Sequence, residues 1–237
     1  MAIKSNKTIL GGSKLISVLV KNKYKACIFV VSLVFVQSSI AQSYEVDFIQ
    51  NEIKAEKTLL QNQNVKDIAD VKKIISDMYQ TDQKIRNFAI KEKLNSTAML
   101  QIKKMDQFHT DKMKEILLEH KWITISKFGE ETANNAWLLI QHADHDPFFQ
   151  AGCLYVMSNL DAKEYNLKNY AYLYDRVALK FQEIGMKQKF GTQVQLENGE
   201  ITLLPYEGTI NEVEQRRKEV NLESLDEYFL MIKKLYS

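Results

Sequence analysis

Trp137-Leu-Leu-Ile-Gln-His-Ala-Asp-His-Asp-Pro-Phe-Phe-Gln150 reads as the end of one helix and the start of another. Upstream, Ala133, Ala136, Trp137 and Ile140 recur at helical spacing, which predicts a helix over 130–142 with that face inward. Asp146-Pro147 opens the next helix. Asp146 is suited to N-cap it, and Pro147 fits the first helical position, where no amide hydrogen is needed. Two histidines and two aspartates fall between these helices. His142 stands at a helix C-terminus, where the dipole and the nearby Asp144 and Asp146 favour a protonated ring. Such a histidine can act as a general acid or base, or can simply cap helix carbonyls. Gln141 shares a face with Trp137, and Gln150 lies one turn into the second helix, able to point back across the corner.

The same periodicity governs most of the chain. Glycine and proline are scarce, 8 and 2 in 237 residues, which favours long helices over a turn-rich sheet protein. Val46, Ile49, Ile53 and Leu60 mark one stripe; Ile68, Val71, Ile74, Ile75 and Met78 mark a second. Ile102, Met105, His109, Met113, Ile116 and Leu117 mark a third, read as core. Breaks are expected near 61–64 and at Asn95-Ser96, with Ser96 as an N-cap. A further helix is expected over 169–181. Its residues Tyr170, Tyr174, Val177 and Phe181 form one face, and the apolar surface continues around much of the rest. Thr192-Gln-Val-Gln-Leu196 and Glu200-Ile-Thr-Leu-Leu204 flank Asn198-Gly199, a strong hairpin signal. Helices near 210–220 and 223–235 complete the chain, with Asn221 as a left-handed stop between them.

The first 41 residues differ from the rest. They carry six lysines and no acidic residue, an apolar run over 26–36 broken only by Ser32, and the small pair Ser39 and Ala41. This is the pattern of a secretory signal cleaved after Ala41, and its apolar run is too short to span a bilayer. Without those lysines, 26 of the 32 basic residues face 30 acidic ones, a net charge of −4. The product gives no support to nucleic-acid binding. Cys153 is the sole cysteine after residue 41 and reads as a small core residue, so no disulfide framework is expected.

Twenty-eight lysines stand against four arginines, Arg86, Arg176, Arg216 and Arg217. An arginine kept in so lysine-rich a chain suggests a carboxylate or phosphate held by a planar fork. Asp175 and Arg176 lie on the largely apolar helix, where isolated charges are costly and need partners. They can line a polar pocket, Arg176 gripping an anion and Asp175 orienting a histidine, or belong to a structural salt-bridge network. Gln188 and Gln193 flank Gly191 and supply amide ends, suited to a polar ligand or to buried main chain. His142, Asp144, His145 and Asp146 are potential zinc ligands, but their spacing straddles a helix end, and no metal or cofactor is assigned. Signatures of serine hydrolases, metalloproteases, phosphate loops and paired cysteines are absent from the sequence.

In order, Trp122, Gly129, W-L-L-I-Q-H-A-D, D-P-F-F-Q, Y-A-Y-L-Y-D-R-V, Q-K-F-G-T-Q, Arg216-Arg217 and Leu222-x-x-Leu225-x-x-Tyr228 resemble a bacterial family of domains of unknown function. The resemblance covers roughly 120–230. It implies that Gln141, His142, Asp144, Gln150, Asp175, Arg176, Gln193 and Arg217 belong to one shared region. The chain departs from that pattern at Phe190, where tyrosine is usual, at Asn221, where glycine is usual, and at Lys121-Trp122-Ile123, where Gly-Trp-Pro is usual. Residue 190 therefore lacks a phenol.

The expected architecture is mainly α. It comprises a signal peptide (1–41), a helical extension (42–120) and a motif-bearing helical domain (121–237) with one antiparallel β-hairpin near 190–205. The expected function is an exported, periplasmic or secreted protein with a pocket for a small polar or anionic molecule, a cofactor-independent hydrolase if catalytic. In that pocket His142 would be the acid–base group, Asp144 or Asp175 would orient it, and Arg176, with Gln141, Gln150, Gln188, Gln193 and Arg217, would hold the ligand. The alternative is a non-catalytic envelope scaffold whose polar motifs form an internal network. Neither reading calls for nucleic acid or for a membrane span after signal cleavage.

Overall fold

A computed structural model describes residues 39–236, apart from 62, 93, 198 and 199. Nearly all of the expected export signal and the Asn-Gly hairpin turn lie outside the described residues. Among the described residues the chain forms nine α-helices and one two-stranded sheet. Three long helices come first: α1 (Ser39–Leu60), α2 (Ile68–Glu92) and α3 (Ser96–His120). A single turn, α4 (Ile125–Phe128), leads to α5 (Glu130–Gln141), α6 (Pro147–Ser158) and α7 (Leu167–Lys180). The hairpin β1 (Val194–Glu197) and β2 (Glu200–Leu203) follows, then α8 (Ile210–Glu219) and α9 (Leu225–Tyr236).

Local chemistry sets the boundaries. Asp67 accepts from the amides of Ala69 and Asp70 and so starts α2. At α3 the cap is Asn95, not Ser96. Its oxygen accepts from Ala98 N at 2.9 Å, and Ser96 becomes the first helical residue. Asn95 also donates to Glu45 at 2.7 Å, a bond to α1 that serine has no amide to make. Asp146 caps α6 through Phe149 N at 3.0 Å, with Pro147 in the first turn. α7 begins two residues early because Asn166 caps it through Lys168 N. Thr209 and Glu212 form a reciprocal capping box at α8. Asn221 adopts φ +58°, the left-handed stop after that helix. The hairpin is antiparallel, pairing Val194 with Leu203 and Glu197 with Glu200.

The apolar stripes bury as their spacing requires. The main core joins Val71, Ile74, Ile75 and Met78 of α2 to Met113 and Ile116 of α3 and Trp137 to Ile140 of α5. It continues into α6 and α7 through Cys153, Leu154, Met157, Leu173 and Val177, so it draws on both sides of residue 120. A second core packs Ile49 and Ile53 of α1 against Ile85, Ile102 and Met105. A third, small one sets Tyr228 and Ile232 of α9 under Val194. Each fully buried aliphatic side chain contributes about 1.5–3 kcal/mol. α5 thus lies against α2, α3, α6 and α7, and its C-terminal end is where the polar motifs meet. No helix among the described residues is long and apolar enough to cross a membrane.

Candidate functional site

α2 and α3 interrupt their own apolar stripes with charge. Asp82 and Arg86, four residues apart on α2, share a face, and Arg86 Nε donates to Asp82 Oδ1 at 2.8 Å. The same guanidinium donates through Nη2 to Asp106 of α3. Gln83 Nε2 donates to the other Asp82 oxygen at 2.8 Å. All four side chains are buried.

His142 enters this cluster from α5. It is the C-cap of that helix, its amide donating to Leu138 O and Leu139 O, which turns the ring inward. Nδ1 meets Asp82 Oδ1 at 2.8 Å, a contact between residues sixty positions apart. The ring is 2% exposed. Burial, with Arg86 and Arg176 nearby, pushes its pKa down to about 4 against the pull of Asp82. The imidazole is therefore neutral at pH 7, with its proton on Nδ1 facing an ionised carboxylate. The protonated, dipole-stabilised ring expected from the helix end does not form, because desolvation outweighs the dipole. Asp82 is the opposite case: burial raises its pKa, but Arg86 and His142 outweigh that and hold it well below the usual carboxylate range. Asp106 is pushed up to about 7 by burial, with Arg86 opposing and Asp82 adding to the rise.

Asp144 and Arg176 form the adjoining pair. Arg176 Nη1 donates to Asp144 Oδ2 at 2.6 Å. Arg176 is buried in α7, whereas the Asp144 side chain is 28% exposed and so marks the outer edge. Burial would raise the Asp144 pKa, but Arg176 and Lys180 pull it below its ordinary value. Gln150 reaches back across the corner and donates to Ile140 O and Gln141 O at 3.1 and 3.2 Å, capping the end of α5. Gln141 Nε2 points to Tyr172 O at 3.5 Å. Around this end of α5, four buried polar atoms have no hydrogen-bond partner among the described residues: Trp137 Nε1, Gln141 Oε1, Asp144 Oδ1 and Gln150 Oε1.

Asp175, the residue before Arg176, serves a different assembly. Its carboxylate accepts from the amides of Lys189, Phe190 and Thr192 and from the Thr192 hydroxyl, at 2.7–3.2 Å. Gln188 closes the same loop. Its Nε2 donates to Gln193 O and Leu204 O, and its Oε1 accepts from Gln193 N. Gln193 donates to Thr192 Oγ1. Arg217, fully buried, donates to Glu223 O, Phe190 O and Gly191 O, and Tyr228 donates its hydroxyl to Thr192 O. Gly191 has φ +64°, and a Cβ there would lie 3.1–3.2 Å from Leu225, Leu203 and Val213.

α7 therefore stands between two polar assemblies, with Arg176 facing the corner and Asp175 the loop. His142, Asp144, Gln141, Gln150 and Arg176 come together. Asp175, Gln188, Gln193 and Arg217 come together around residues 188–193, where their hydrogen bonds go to main chain and to Thr192. The carboxylate on His142 is that of Asp82, neither Asp144 nor Asp175. The sequence reading singled out Arg86 only as one of four arginines and missed Asp82 and Asp106. Their signal was a polar residue wherever the α2 and α3 stripes called for an apolar one.

Two further features complete the electrostatics. His109 of α3, read as core, is buried and pairs through Nε2 with Glu56 of α1 at 2.9 Å. Asp82, Asp106 and His142 each offer a ligand atom, all within 4.8 Å of one another, and are the residues that could hold a metal. Arg86 already places a cation between the two carboxylates. In the corner itself, His145 is exposed, while Asp146 is engaged by Phe149 N and by Lys114 at 2.7 Å.

Fold and site define a helical domain with a buried ionic junction at the end of α5. The chain belongs to a family of unknown function, DUF6624, whose model matches residues 69–237. The match begins at the start of α2 and leaves α1 outside it. No curated protein and no solved structure matches the chain.

Proposed function

We propose that the protein is exported and binds a small polar, anionic molecule at the corner between α5 and α6, above the buried junction. One observation carries this reading: four unpartnered buried polar atoms at one helix end, Trp137 Nε1, Gln141 Oε1, Asp144 Oδ1 and Gln150 Oε1. Each unpaired buried group costs about 1–3 kcal/mol, so a polar guest that satisfies several of them gains affinity. Arg176, already paired to Asp144 at the outer edge, supplies the positive charge for an anion.

If the site catalyses, hydrolysis needs the fewest additions. With its proton on Nδ1 facing Asp82, the His142 ring has Nε2 as its basic nitrogen. Asp106, with a pKa near neutrality, is the proton donor of the cluster. Displacement of a neighbouring acid and base in opposite directions supports this division of labour.

The test is His142→Asn, which keeps a donor toward Asp82 but removes the basic nitrogen. Wild-type protein is examined by native mass spectrometry for molecules retained through purification, and assayed on p-nitrophenyl acetate and p-nitrophenyl phosphate. The expected result is a retained species or turnover that the variant loses by about 100-fold or more, with Tm changed by only a few degrees. A wild type that neither retains nor hydrolyses anything overturns the reading.

A second reading, the non-catalytic scaffold, is favoured by a different observation. The hydrogen bonds of the Asp175 and Arg217 side chains go to the protein's own main chain and to the Thr192 hydroxyl. Arg176→Lys separates the two. Lost ligand with an intact fold supports the site; strong destabilisation with no ligand in the wild type supports the scaffold.

A further inference from the structure

The corner is not the only place where polar groups wait for a partner. α1 and α3 leave between them a groove of about 430 Å³, within the usual size of small-ligand sites. Lys54 and Lys57 come from α1 and Lys104 from α3; Ile53 and the stems of the lysines give it an apolar wall. No carboxylate lines it. None of the three lysines forms an ion pair among the described residues, although nine of the eleven ion pairs found there use a lysine or arginine elsewhere. Lys57 Nζ rests 4.8 Å over the Phe108 ring, which holds its stem along the wall.

Gln101 supplies an independent observation. It lies in the lining of the groove, is 6% exposed, and its side-chain amide makes no hydrogen bond among the described residues. The little of Gln101 that stays exposed opens onto the groove, so its amide is free to hydrogen-bond whatever enters there. Three unpaired ammonium groups beside one unpaired amide suit an anion with several oxygen acceptors.

We infer that this groove is a binding site for phosphate-type anions, a phosphomonoester or pyrophosphate group whose charge meets Lys54, Lys57 and Lys104 and whose oxygen or hydroxyl meets the Gln101 amide. The ammonium is a compact point charge suited to phosphate. Two charges one helical turn apart and a third from the facing helix favour a multiply charged group over a single carboxylate. The site is separate from the corner at α5. Its α1 wall lies outside the residues matched by the family model, whereas Gln101 and Lys104 of α3 lie within them.

The phosphate can be free in solution or the headgroup of a lipid, and two assays on the full chain distinguish these sources. The first is calorimetric titration with sodium pyrophosphate at about 0.05 and 0.5 M NaCl. The second is co-sedimentation with phosphatidylcholine vesicles, with and without about one-third phosphatidylglycerol. The expected result is saturable binding in at least one assay, weakened by salt. Lys54→Gln with Lys57→Gln should weaken it about tenfold or more, and Gln101→Leu should weaken it while leaving the salt dependence unchanged. Lys73→Gln, in an exposed pair with Asp77, should bind as wild type. Binding to pyrophosphate identifies a soluble ligand; binding to the acidic vesicles alone identifies a headgroup. Absence of binding in both assays, or equal binding by the lysine double variant, overturns the proposal.

Discussion

Asp106→Asn tests the buried junction with little change of shape. The carboxyl is 5% exposed and its pKa stands near 7, against an ordinary value of 3.8. Between those values the folded protein keeps a proton that the unfolded chain has released, so stability falls as pH rises. Three units at about 1.4 kcal/mol each amount to about 4 kcal/mol, present below pH 4 and gone above pH 7. Asparagine keeps an oxygen for Arg86 but cannot titrate. The stability of the variant minus that of the wild type should therefore climb by about 4 kcal/mol across this window and then level off. His142 runs the other way. Its folded pKa of about 4 lies below the ordinary 6.5, so its contribution is present above 6.5 and is lost as pH falls toward 4. The two slopes oppose each other in the wild type; Asp175, whose carboxyl burial pushes up to about 6, adds a falling slope of its own in both proteins and so cancels from the difference. Urea unfolding at intervals from about pH 4 to 8 measures both curves. A difference curve flat to within about 1 kcal/mol would refute the assignment of Asp106 as a buried, proton-retaining acid.

Two further outcomes concern the loop at 188–193. Asp175→Asn leaves one acceptor oxygen where two serve three amides and a hydroxyl, and turns an amide group toward backbone N–H. It should destabilise by about 2–4 kcal/mol and speed hydrogen exchange at Thr192; unchanged exchange there would contradict the role given to this carboxylate. Gly191→Ala adds a Cβ at positive φ against Leu225, Leu203 and Val213, at an expected cost of about 2–4 kcal/mol, read as a lower Tm. A Tm equal to that of the wild type would mean that the close approach is not tight.

The sequence disclosed whatever is decided within a few residues. The α5–α6 corner, its Asp146-Pro147 start, the hairpin and the Asn221 stop all follow from local backbone chemistry. Ser96 was misjudged because Asn95 also reaches α1, which sequence spacing does not show. The burial of Asp175 and Arg176 was legible from the apolar surface around them, but their different partners were not. Adjacent helical residues point about 100° apart, and which neighbour each meets depends on the packing of α7. The partner of His142 lies sixty residues away on α2, beyond the reach of any local pattern. Asp82 and Asp106 were visible only as gaps in an apolar stripe, a sign shared with surface positions, whereas Arg86 stood out as one of four arginines without its partners being legible. The charge on His142 was misjudged because the dipole argument assumes a solvated helix end, whereas this one is buried.

Cys153 sits in the main core, 4% exposed, and burial pushes its thiol up to about 12. Alkylating and oxidising reagents are attacked by thiolate, so the sulfur is inert while the helices around it stay closed. Neither the hairpin nor α1 carries a sulfhydryl. The labelling rate at position 153 therefore reports separation of α5, α6 and α7, and stays silent when the loop or the first helix alone comes loose.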